Sequence, residues 1–100
     1  MRLTEIERSV IVASVKMFDD AATIYLFGSR ADDRKRGGDI DILLISDVLS
    51  KGSLDLIGEE IFKHLDEQKI DLVLSRRSEP SSFAEMVISK GVVDLCPTKN

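Results

Sequence analysis

Three acids and one glycine turn stand out in this 100-residue sequence because their neighbours do not account for them. Asp39 and Asp41 alternate with Ile40 and Ile42 at the head of a run, Ile40 to Ile45, that is nearly all branched aliphatic. Such a run reads as a strand buried on both faces. Side chains alternate along a strand, so both aspartates project to one side, with Cα atoms roughly 6–7 Å apart. Two carboxylates on one face repel, and taking either out of water costs free energy. A divalent cation relieves both effects by accepting oxygen ligands from the two together. Asp71, between Ile70 and Leu72, repeats the theme in a second apolar run. If that strand lies beside the first, three carboxylates converge. With no Cys or His among them, the hard cations Mg²⁺ or Mn²⁺ are the expected guests.

The turn is Leu26-Phe27-Gly28-Ser29-Arg30. Glycine lets the backbone come close to an anion and adopt turns closed to other residues. Successive backbone N–H groups there form an anion-binding concavity, and the Ser29 hydroxyl adds a further hydrogen bond. Arg30 carries a planar, permanently charged fork suited to phosphate. Arg34, Lys35 and Arg36 read equally well as phosphate contacts or as a solvated basic loop, which Asp32 and Asp33 interrupt. Each feature alone has an ordinary reading: Gly28-Ser29 a plain turn, Asp39 a strand-start cap, Asp71 a strand-edge acid. Their combination points to a site for metal and nucleoside triphosphate. The single histidine, His64, falls in a helical pattern and reads as a surface residue.

The elements that must position these residues follow from pattern. Leu3, Ile6, Val10, Ala13 and Met17 recur at steps of three and four and predict a helix with that face inward; Thr4 with Glu7 predicts a capping box at its start. Thr23 to Phe27 is β-branched and aromatic and predicts a short strand. Arg30 to Gly38 reads as a mobile loop. Leu54, Ile57, Ile61 and Leu65 predict a second helix, and Ile70 to Leu74 a third strand. Ser82 with Glu85 predicts a capping box opening a helix through Phe83, Met86 and Val87, which Gly91 stops. Val92 to Leu95 predicts a last short strand. The expected class is α/β (α+β): a small mixed sheet with helices packed on one side. Residues 1–96 read as one domain and 97–100 as a flexible tail.

Composition narrows the partners. Fourteen basic against eighteen acidic residues give a net charge of −4, which argues against nucleic-acid binding through a basic face. Hydrophobic content of 43% with 32% charged residues fits an ordered domain. Cys96 is the one cysteine, so no internal disulfide forms, and a reducing cytoplasm is the expected compartment. No run approaches the roughly 20 apolar residues of a membrane helix.

Gly28-Ser29, nine intervening residues and then Asp39-Ile40-Asp41 resemble the signature of the DNA polymerase beta-like nucleotidyltransferase superfamily. The string Phe27-Gly28-Ser29-Arg30-Ala31 and the short chain look like its minimal branch, MNT, and Ile70-Asp71-Leu72 is similar to the strand of its third carboxylate. The resemblance covers nearly the whole chain. It implies the nucleotidyltransferase fold, with Asp39, Asp41 and Asp71 as ligands of two Mg²⁺ ions, and Asp71 also as base toward an acceptor hydroxyl. It implies nucleotide phosphate at Gly28, Ser29 and Arg30, with ATP as donor. Gly38 stands where a serine often precedes the first aspartate, which removes no ligand. With no acceptor-binding domain read in the sequence, a partner protein is expected to supply the hydroxyl. Free-standing members of this branch resemble type VII antitoxins that transfer AMP to a tyrosine of a small all-helical HEPN toxin, so a homo- or hetero-oligomer is implied. Two alternatives stand beside this reading: an antitoxin acting by contact alone, and a small-molecule nucleotidyltransferase of the aminoglycoside type.

Overall fold

The computed structural model describes residues 3–32, 38–65 and 69–97. The chain runs α1 (Glu5–Lys16), β1 (Thr23–Phe27), a 3-10 turn (Gly28–Ala31), β2 (Ile40–Ile45), α2 (Lys51–His64), β3 (Ile70–Ser75), α3 (Ser82–Lys90) and β4 (Val93–Asp94). The four strands form one sheet in the order β3-β2-β1-β4. β1 pairs antiparallel with β2 and with β4, whereas β2 and β3 run parallel, joined through α2. The predicted mixed sheet and element order are therefore present, with the first two residues of the expected loop, Arg30 and Ala31, wound into the 3-10 segment.

Alternation along the strands divides the core. Ile24, Leu26, Ile40, Ile42 and Leu44 meet α1 and α2 through Ile11, Val15, Ile57 and Ile61. The opposite side chains, Tyr25, Phe27, Leu43, Ile45 and Val73, meet Ala84 and Val87 of α3. The expectation that helices pack on one side thus holds for α1 and α2, while α3 covers the other face. A strand as aliphatic as β2 demands this, since its odd-numbered side chains, Leu43 and Ile45, also need cover from water.

Local signals place the helix starts. Thr4 and Glu7 form the predicted capping box on α1. The inward face of α1 differs from expectation: Glu7, Ile11, Ser14 and Val15 are buried, whereas Ile6 is 72% and Met17 64% exposed. The buried stripe includes two polar residues, so apolar periodicity alone selects the neighbouring stripe. α3 begins one residue earlier than predicted, with Ser81 as N-cap accepting a hydrogen bond from the Ala84 N–H. α2 has an unforeseen cap, Ser50 with Ser53. Among the described residues no helix is long and apolar enough to cross a membrane. The expected basic cluster Arg34 to Arg36 and the tail residues 98–100 lie outside the described residues.

Candidate active site

The site forms where the C-terminal end of β1 meets the N-terminal ends of β2 and β3. Register sets its centre: Phe27 lies opposite Asp41, and Asp41 lies opposite Asp71. The three side chains stand in a row on the sheet face that α3 covers further along. Asp41 is half-buried and Asp71 exposed on the outer strand. The Asp71 carboxyl reaches that of Asp41 across the β2–β3 pair. Burial first, then the charges of Asp71 and Asp39, hold the Asp41 carboxyl above its ordinary value of 3.8.

Asp39 precedes β2 and is near enough to raise the Asp41 pKa, but its carboxylate pairs with Lys69 Nζ at 3.8 Å. Lys69 also accepts, through its carbonyl, the Ile40 N–H that opens the β2–β3 ladder. So the fold brings Asp41 and Asp71 into contact and sets Asp39 beside them, turned to a lysine. No three acid, His or Cys side chains are gathered as a metal cage among the described residues. The donor set nonetheless fits a hard divalent ion. Two like carboxylates set side by side repel, and a cation held between them relieves that repulsion.

The turn abuts this pair. Gly28 has φ +76°, and a Cβ there would stand 2.4 Å from Asp41 Oδ2. Only glycine permits both the conformation and the approach. Gly38, with φ +86°, is pressed in the same way against Ser29, whose Oγ would lie 2.2 Å from an added Cβ. Ser29 thus touches the segment that leads directly into Asp39. The Arg30 Nε–H donates to the Gly38 carbonyl at 3.3 Å, and the guanidinium lies 4.0 Å from Glu7 Oε1 with both side chains largely buried. Glu7 Oε1 also accepts the Thr4 N–H. The sequence offers Arg30 as a phosphate fork; in the fold its named contacts clasp the two arms of the loop to the start of α1.

Two residues of the site escape sequence reasoning. Glu7 is fully explained by its capping box, so nothing announces its second role. Lys69 is an unremarkable cation until the parallel register sets it against Asp39.

Comparison with known proteins agrees with this fold. A family model described as polymerase beta, nucleotidyltransferase matches residues 10–99. Among curated proteins, none matches. Among solved structures, a chain of the MntA–HpeT toxin–antitoxin pair, crystallised as a mutant with two Asp-to-Glu replacements, is 21% identical. The alignment covers 92% of this chain and 74% of that one, with a TM-score of 0.69. A chain of a Shewanella oneidensis complex, a tri-AMPylated HEPN toxin with MNT antitoxin, is 22% identical over 94% of this chain and 72% of that one, with a TM-score of 0.67. Both share the fold.

Proposed function

The chain belongs to the polymerase beta nucleotidyltransferase family, and from that premise we propose that it transfers AMP from ATP, in the presence of Mg²⁺, to a hydroxyl of a partner protein. The partner we infer is a small helical HEPN toxin, the acceptor one of its tyrosines, and the chain the antitoxin of the pair. One observation carries the reading: the glycine turn touches the acid pair, with Gly28 packed against the Asp41 carboxylate. Phosphate held at the turn is then within reach of groups that can bind metal and take a proton. The two solved relatives, both toxin–antitoxin complexes and one containing AMPylated toxin, support the choice of acceptor.

Asp39, Asp41 and Asp71 would hold the metal, two Mg²⁺ ions with Mn²⁺ as a substitute. Bound there, metal supplies charge neutralisation for the triphosphate and acidifies the attacking hydroxyl. The chain's own residues do the remainder. Gly28 and Ser29 orient the phosphates through backbone N–H groups and the Ser29 hydroxyl. Arg30 keeps that turn in place by gripping Gly38. Asp71, exposed and in contact with Asp41, accepts the proton of the acceptor hydroxyl. The acceptor oxygen bonds to the α-phosphorus as the bond to the bridging oxygen breaks, and pyrophosphate leaves with that electron pair. Catalysis of this kind is mostly positioning and electrostatics.

Incubation with α-labelled ATP, Mg²⁺ and the helical partner tests the proposal. Label is expected on the partner, and none with γ-labelled ATP or with the Asp39→Asn, Asp41→Asn double variant. Absence of transfer by metal-loaded protein sinks the enzymatic reading. Neutralisation that survives the double variant puts contact alone in its place.

A further inference from the structure

β3 is the outer strand of the sheet among the described residues. The Ile40 N–H donates to the Lys69 carbonyl and the Ser46 N–H to the Ser75 carbonyl, so the odd-numbered residues from Lys69 to Ser75 turn their backbone groups toward β2. The N–H and carbonyl groups of Ile70, Leu72 and Leu74 turn to the open edge. The side chains of these three are half-buried and lie on the sheet face of α1 and α2. Beside them a groove runs between strand and helix, lined by Ile70 and Leu72 and by Asp55, Gly58, Phe62 and Lys63 of α2. Phe62 is 60% exposed there. An outer strand this apolar is a template for another strand unless something covers it. Gly58 adds a second observation. A Cβ at that position would meet Leu72 Cδ1 at 4.0 Å, an ordinary van der Waals contact. The single chain therefore has room for a side chain in mid-helix, where glycine weakens a helix relative to alanine.

We infer that the β3 edge pairs with the β3 edge of a second copy of this chain, antiparallel about a two-fold axis at Leu72. The inference rests on the fold and not on the nucleotidyltransferase reading. A symmetric pairing must set outward-facing residues against outward-facing residues, so its axis passes through Ile70, Leu72 or Leu74. Only an axis at Leu72 brings the whole run into register. Ile70 then faces the second copy's Leu74, Leu72 faces the second copy's Leu72, and every cross-strand pair on this face is aliphatic. α2 joins two parallel strands and so runs back over them. With Gly58 packed over Leu72, the two α2 helices meet antiparallel near Gly58, where the missing side chain lets them approach. Asp55 and Lys63 lie about one turn to either side of that point, so Asp55 of each copy faces Lys63 of the other. Lys63 also reaches Glu60 in its own chain at 3.2 Å. These complementary charges and the self-matching register select a second copy over an unrelated strand. Two like pairs oppose it: Glu59 nears its counterpart, and the two Asp71 residues become diagonal neighbours with Cα atoms roughly 7–8 Å apart. The dimer is accordingly a reversible one, with both active sites opening on one face of a continuous sheet.

Sedimentation velocity of the full chain, from micromolar to millimolar concentration, tests this. A monomer–dimer equilibrium is expected. Asp55→Lys should weaken the dimer about tenfold, since symmetry counts each lost pair twice, and Asp55→Lys combined with Lys63→Asp should restore it to within about threefold. Gly58→Ala should weaken it by about tenfold or more while the melting temperature of the monomer holds or rises. Glu59→Gln should tighten it by up to about fivefold, and Leu56→Ala, 51% exposed outside the groove, should change nothing. In a Cys96→Ser background, Leu72→Cys should cross-link across the axis, where the paired Cα atoms stand about 5.5 Å apart; Leu74→Cys should not. A chain that stays monomeric throughout overturns the proposal, as does a dimer that neither Asp55→Lys nor Gly58→Ala weakens. Cross-linking through Leu74→Cys and not through Leu72→Cys refutes the register. Protection of the Leu72 and Leu74 amides from hydrogen exchange that appears only with the helical partner protein assigns the edge to that protein and not to a second copy.

Discussion

Replacing Gly28 by alanine separates the geometry of the site from the stability of the fold. At φ +76° an L-residue is strained by roughly 1–2 kcal/mol. The added Cβ would also stand 2.4 Å from Asp41 Oδ2 and 3.3 Å from its Cγ. To reach even 3.0 Å, which real Cβ contacts essentially never undercut, the carboxylate must retreat by about 0.6 Å (3.0 − 2.4). The total cost is about 1–3 kcal/mol. For a chain of this size that lowers the melting temperature by roughly 4–8 °C per kcal/mol. The catalytic cost is larger in proportion. A displacement of about 1 Å at a reacting centre costs on the order of a hundredfold, so transfer should slow by about ten- to a hundredfold. The control is Ile57→Val, fully buried against the opposite sheet face, which costs about 0.5–1.5 kcal/mol and should leave the rate untouched. The assay pairs melting by circular dichroism with initial rates of label transfer, measured well below both midpoints. If Gly28→Ala transfers label within twofold of Ile57→Val, the claim that this glycine exists to let the turn approach the acid is wrong.

Four further expectations are open to measurement. The raised folded-state pKa of Asp41 means that its contribution to metal-free stability is full below about 3.8, the ordinary value, and is lost as pH rises through the folded value; Asp41→Asn should flatten that pH dependence, raise the neutral-pH melting temperature of metal-free protein, and abolish stabilisation by Mg²⁺, which at a hundredfold excess over Kd amounts to about 2.7 kcal/mol. Glu7→Gln keeps a side chain able to complete the capping box but removes the charge facing Arg30, so transfer should slow while the melting temperature falls by only a few degrees; equal rates for Gln and wild type would remove Glu7 from the site. Lys69→Ala releases Asp39 from an exposed ion pair worth at most about 1 kcal/mol, and should tighten Mg²⁺ binding up to about fivefold by titration, whereas weakened binding would mean that the lysine helps to assemble the site. Ser81→Ala should cost about 1 kcal/mol in denaturant melts and Ser82→Ala less than about 0.5, since only Ser81 caps α3; the reverse order would place the cap at Ser82.

Much of the frame is legible because its signals are local. β1 and β2 start and stop where the β-branched runs do, and the Thr4–Glu7 box is written within four residues. Gly28 and Asp41 are both conspicuous in the sequence, but their contact is not, since it depends on the antiparallel register that sets Phe27 opposite Asp41. The pairing of Asp41 with Asp71, thirty positions apart, depends likewise on the crossover through α2 returning β3 parallel and in register. Periodicity says that Phe83, Met86 and Val87 share a helix, not which sheet face the helix covers, so α3 reads as one more helix on a common side. Arg30 is recognisable as a cation near phosphate. Its grip on Gly38 and its approach to Glu7, 23 positions earlier, arise only once α1 lies beside the turn.

Ser29 packed on Gly38, with Arg30 holding the Gly38 carbonyl, ties together the points at which the chain departs after the turn and returns before the acids. Whatever lies between them is closed on a base that is already fastened. Lengthening a closed loop is cheap, about 0.6 kcal/mol for each doubling. The interval between glycine turn and acid pair, the most visible spacing of the sequence, is thus not what brings the two together: contacts at its two ends do that. Chains with other intervals could keep the same chemistry, provided the small residue ahead of the first acid and the cation that grips it are retained.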